Sequence, residues 1–112
     1  VALMDVRRSY TMMRKTHVPV LGIVENMAYY QLPDGSRDYI FGEGGARQFA
    51  EAEDLPLLGQ VPITTGLRES ADAGTPLVIA DRDNPSAIEL RRTARAAVSR
   101  ISRQSMMSLP VL

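Results

Sequence analysis

A parallel α/β fold is what the pattern of apolar runs in this chain predicts. Val18 to Val24 is almost continuously aliphatic or β-branched, as suits a strand covered on both faces. Leu57 to Val61 is a second short run of the same kind. Between them, Ala46, Phe49 and Ala50 recur at helical spacing in a segment from about Gly45 to Glu53 that stops ahead of Pro56. Strand, helix and strand at this spacing make a βαβ unit, whose strands should be adjacent and parallel with a right-handed crossover.

The remaining elements follow from the same rules. Leu3, Val6, Tyr10 and Met13 form an apolar stripe with Asp5, Arg7, Arg8, Arg14 and Lys15 opposite. The cationic last turn suits a helix C-terminus, so Ala2 to Lys15 is predicted helical. That pattern is already under way at Val1, which reads as a portion of a longer polypeptide. His17 then falls between helix and strand as a connecting residue. Beyond the βαβ unit, Thr65 can cap a helix from Gly66 to Ala73, with Gly74 as its C-cap and Thr75-Pro76 as its stop. Two starts compete for the last helix. Asn84 can cap it with Pro85 at the first helical position, or Ser86 with Glu89 can form a capping box. Either leads into Leu90, Ala94, Ala97, Val98 and Ile101 as a core stripe, with Arg91, Arg92, Arg95, Arg100 and Arg103 as a solvated basic face. Residues 1–103 read as part of one domain and 104–112 as a tail. The pairs Met12-Met13 and Met106-Met107 read as packing or interface residues.

Composition excludes several function classes. At 112 residues and 45% hydrophobic, the chain can bury one small core and not two. Its 13 basic and 13 acidic residues cancel, which argues against a nucleic-acid or membrane-surface partner. No apolar run reaches membrane-spanning length and no signal-peptide layout opens the chain, so a cytoplasmic location is expected. Without cysteine, the chain itself offers no disulfide, thiolate metal site or thiol nucleophile.

The residues that break the first strand carry the chemical interest. In open parallel sheets, ligands bind beyond the carboxyl ends of the strands. Asn26 stands just past such an end, and its amide offers an acceptor and a donor together, the pair that matches the N6 and N7 edge of adenine. The alternative is that Asn26 closes a turn. Glu25 beside it reads as a charged strand end facing water. Gly42-Glu43-Gly44-Gly45 has no following Lys-Ser or Lys-Thr and places a carboxylate where phosphate charge needs relief, so it reads as the approach to a helix and not as a phosphate loop.

In order, VALMDVRR, VPVLGIVENM, IFGEGGA, PLLGQVP and LRESADAGTP resemble the C-terminal part of the Mrp/ApbC family from Val1 to about Val78. Members of that family are deviant P-loop ATPases related to MinD that act as iron–sulfur cluster carriers. The resemblance implies a three-layer P-loop NTPase-like fold of which this chain is the C-terminal portion. It also implies ATP or ADP with Mg as cofactor in the intact protein, homodimerisation and iron–sulfur client proteins. Carried over residue by residue, it places Asn26 against the adenine and Val61, Pro62, Ile63 and Thr64 around the base through main chain and proline. Arg68, Glu69 and Asp72 match a recurrent charged surface, structural or at the dimer interface.

Three departures qualify the carry-over. Thr64 stands where many relatives have an aspartate, which keeps a short polar group and loses the charge. Leu32 and Gly35 occupy the positions of a Cys-x-x-Cys pair that bridges a [4Fe–4S] cluster between subunits, and neither can ligate iron. Walker A is also missing, so this chain should not hydrolyse ATP alone. The expected role is the base-recognition and dimer-side portion of an ATP-binding protein in iron–sulfur cluster assembly or transfer. The alternative is a MinD-like nucleotide-responsive regulator or scaffold that carries no cluster. With its sheet neighbours missing, the chain is expected to self-associate or recruit a partner chain.

Overall fold

The computed structural model describes residues 2–107 of the chain. Helix α1 (Ala2–Lys15) matches its predicted span. It is followed by strand β1 (Ile23–Gln31), a short β2 (Arg37–Asp38), α2 (Gly45–Ala52) and β3 (Leu57–Ile63). The chain then continues through α3 (Thr65–Ala73), a four-residue α4 (Leu77–Ala80) and the 23-residue α5 (Pro85–Met107).

The sheet has three strands in the order β2-β1-β3. β1 and β3 run parallel, with Ile23 opposite Leu57, Glu25 opposite Gln60 and Asn26 opposite Val61. The expected βαβ pairing is therefore present. β2 adds an antiparallel edge that the apolar runs did not signal, pairing Tyr30 with Asp38 and Gln31 with Arg37. Only the far end of β1 is paired on that side.

The first strand is displaced from its expected position. Val18 to Gly22 carries no regular structure, and the ladder starts where the Ile23 N–H donates to the Pro56 carbonyl at 2.9 Å. β1 then continues to Gln31, through what had read as loop, because Ala28 and Tyr29 are buried.

The other termini differ by small steps with clear causes. Thr64, not Thr65, caps α3, its hydroxyl accepting from the Leu67 N–H at 3.2 Å. Gly74 closes that helix in the left-handed conformation, as predicted. α2 starts behind Gly44 at φ 86°, a backbone state that costs a residue without Cβ little. Asn84 wins the competition for the last helix, its Oδ1 accepting from the Ser86 N–H at 2.9 Å ahead of Pro85. α5 runs on to Met107, taking in 104–107 of the expected tail, and 108–112 lie outside the described residues.

The core gathers Ala28, Tyr29, Phe49, Ala50, Val61, Leu77 and Ala87. α5 lies along β3 so closely that a Cβ on Gly59 would overlap the Thr93 side chain. The predicted apolar stripe of α5 is corrected here. Its buried positions are Ser86, Ala87 and Thr93 in the first half, whereas Val98 and Ile101 are 62% and 52% exposed because the helix extends past the sheet. Its basic face also departs from full solvation, since Nη1 of Arg91 is buried without a hydrogen-bond partner among the described residues. α1 touches the body through an edge-to-face contact of Tyr10 with Phe49 at 5.7 Å, and its Met4, Val6, Met12 and Met13 stay exposed.

Candidate functional site

Asn26 is the fourth of the nine residues of β1 and not past its carboxyl end as expected; the parallel pairing with β3 is interrupted after it and resumes at Tyr30 opposite Ile63. Met27 takes a positive φ of 53°, and the register with β3 shifts between Asn26 and Tyr30. Asn26 Oδ1 accepts from the Met27 N–H at 3.0 Å, so the side chain folds onto the amide that follows it. Asn26 is exposed, and this bond uses one lone pair of its oxygen. The second lone pair and both NH2 protons stay available, which is the donor and acceptor set that an adenine edge requires. Turn closure and base recognition are thus compatible in one side chain.

The Val61–Thr64 segment lies across from Asn26, with Val61 its Cα partner. Val61, Pro62 and Thr64 are buried, and Ile63 is half-buried. Side-chain recognition by the buried members is therefore closed off. What the segment can offer a ring is main chain and the flank of Ile63.

A compact polar junction holds that segment. The fully buried Ser86 hydroxyl donates to the Pro62 carbonyl at 2.8 Å and lies 3.0 Å from Thr64 Oγ1. Thr64 Oγ1 in turn donates to Asn84 Oδ1 at 2.9 Å while capping α3. One small cluster thus fixes the end of β3 and the starts of α3 and α5. A second tie, Tyr30 OH to Thr65 Oγ1 at 2.8 Å, joins the end of β1 to α3. Thr64, which reads from sequence as a weakened counterpart of an aspartate, has its hydroxyl committed to this junction.

Glu25 does not stand free in water. It is half-buried, and Oε1 accepts from Gln60 Nε2 at 2.9 Å across the two parallel strands. Leu32 and Gly35 sit in the turn between β1 and β2, where the Gly35 N–H donates to the Leu32 carbonyl at 2.9 Å. Asp34 in the same turn accepts from the Ser36 hydroxyl at 2.6 Å and the Ser36 N–H at 2.9 Å, which holds its carboxyl below the usual range. Among the described residues, no cluster of three or more His, Cys, Asp and Glu could hold a metal ion.

Sequence reasoning missed Ser86 as the centre of the junction, although Asn84, Pro85 and Ser86 had all registered as helix-start signals. It also missed the aromatic group beside β2. Arg37 lies over the Tyr29 ring at 4.3 Å, and Tyr29 packs on Tyr39 with centroids 5.6 Å apart. A side-chain hydrogen bond with Tyr39, and then the field of Tyr29, raise the proton affinity of that guanidinium.

Residues 1–98 match the ParA family described as the NUBPL iron-transfer P-loop NTPase. The chain belongs to this family. It is 44% identical over 111 residues to an iron-sulfur cluster carrier protein of Deinococcus radiodurans, covering 98% of this chain and 31% of that protein. Against the iron-sulfur cluster transfer protein NUBPL of Mus musculus it is 39% identical over 102 residues, covering 90% of this chain and 32% of the relative. Among solved structures, the nucleotide-binding protein from Archaeoglobus fulgidus in complex with ADP is similar with a TM-score of 0.58 and 35% identity. That match covers 72% of this chain and 32% of the other. The NUBPL-type chain therefore spans just under a third of the length of these curated relatives, 31% and 32%.

Proposed function

We propose that this chain is the base-recognition portion of a nucleotide-dependent iron–sulfur cluster carrier. The observation that carries the reading is the pairing of Asn26 with Val61 inside a sequence that matches the iron-transfer P-loop NTPase family over residues 1–98. In the complete protein, ATP or ADP with Mg would supply the phosphate chemistry through residues outside this chain. Here Asn26 presents a donor and an acceptor to the base edge, and the Thr64–Asn84–Ser86 junction keeps the facing backbone in place. Hydrolysis is not assigned to these residues, since none forms a Walker A loop.

The cluster is cargo in this reading, passed on to apo client proteins. Any ligands for it come from outside these residues, because the chain contains no cysteine. The names of the relatives favour this carrier role over a cluster-free regulator. A dimeric assembly fits the apolar residues left exposed on α1 and the far half of α5. A cytoplasmic location belongs to the same reading, and no helix among the described residues is long and apolar enough to cross a membrane.

The test is iron and sulfide analysis of the complete protein prepared without oxygen, followed by transfer to an apo iron–sulfur protein. Bound cluster that moves to the acceptor, at a rate that depends on nucleotide, is the expected result. Nucleotide binding with no iron retained under reconstitution would instead leave the regulator.

A further inference from the structure

An open pocket of about 260 Å³ lies beside the residues assigned to the base, reaching β3 through Leu57, Gly59 and Gln60, and is lined by neither Asn26 nor Val61 to Thr64. Its walls bring together Arg37 of β2, Arg47 of α2 and Arg92 of α5. Among the described residues Glu89 is the one carboxylate on those walls, and Arg92 holds it in an ion pair at 2.8 Å. The walls thus carry three guanidiniums against one carboxylate, whose field also reaches Arg37, and this excess of positive charge favours an anion in the space between them.

We propose that this pocket binds a phosphate group, free or carried on a small phosphomonoester, as a site separate from base recognition. The arrangement favours phosphate over carboxylate. Three arginines on three elements surround the pocket, which suits the tetrahedral acceptors of a phosphate better than the two coplanar oxygens of a carboxylate. Arg37 is partly held in place before any ligand arrives, because its guanidinium carbon lies 4.3 Å from the centroid of the buried Tyr29 ring.

The test uses the complete protein saturated with Mg and a non-hydrolysable ATP analogue, so that the α-, β- and γ-phosphate positions of the nucleotide are all filled. Inorganic phosphate is then titrated at constant ionic strength by calorimetry. Wild type should bind phosphate saturably, with glycerol phosphate competing, and Arg47→Gln and Arg37→Gln should each weaken it by about tenfold or more. The Arg47 side chain is exposed, so Arg47→Gln should melt with wild type in the absence of phosphate, while Arg37→Gln also gives up its contact with Tyr29 and should melt slightly lower. Asn26→Ala should keep this binding, which separates failure here from failure of base recognition. Phosphate binding unchanged in both arginine variants, no saturable binding in wild type, or binding of an acidic peptide and not phosphate would each overturn the proposal.

Discussion

The two halves of α5 obey opposite rules. In the first, Ser86 and Ala87 are wholly buried and Thr93 nearly so, and Gly59 of β3 gives up its side chain to admit the helix. In the second, Val98 and Ile101 keep a regular apolar spacing and still face solvent. α1 behaves like the second half, anchored by Tyr10 on Phe49 and otherwise exposing its stripe. The difference teaches that an amphipathic period records a surface meant to be covered without saying by what. Burial in this chain follows the polar junction at the end of β3.

The sharpest way to break that comparison is Gly59→Val. Its Cβ alone would overlap the Thr93 hydroxyl and come within 2.8 Å of Thr93 Cβ, so α5 must move. We expect a loss of about 3 kcal/mol in urea unfolding. Ser86→Ala comes next, at about 2 kcal/mol, because the buried Pro62 carbonyl loses its donor. A cost under about 0.5 kcal/mol by the same measurement would remove the junction from the account. Val98→Ser should change the stability of this chain by no more than about 0.5 kcal/mol, since the side chain is 62% exposed. A larger cost in the complete protein, set against that value, would show that the stripe is covered there.

Much of the fold was legible because it depends on local chemistry. The stripe and charged last turn of α1, Gly74 at the end of α3, and Asn84 before Pro85 each carry their own signal. β1 was misplaced because hydrophobicity reports burial and not pairing. Val18 to Gly22 is apolar, yet the first ladder bond waits for Ile23 to meet Pro56. The hairpin to β2 rests on two paired positions, too few to leave a period. α4 is likewise a single turn. At the site, Asn26 was visible by residue type, whereas the cross-strand bond of Glu25 to Gln60 depends on partners 35 residues apart.

Base recognition by Asn26 is the central claim, and calorimetric titration of the complete protein with ATP and GTP tests it most directly. Asn26→Ala removes the donor and acceptor offered to the base, so ATP should weaken by about tenfold or more while GTP changes less, which narrows the preference for adenine. Phosphate binding elsewhere in the protein should persist. Equal fractional losses for both nucleotides, or no loss for either, would contradict the claim and leave Asn26 as the residue that closes onto Met27.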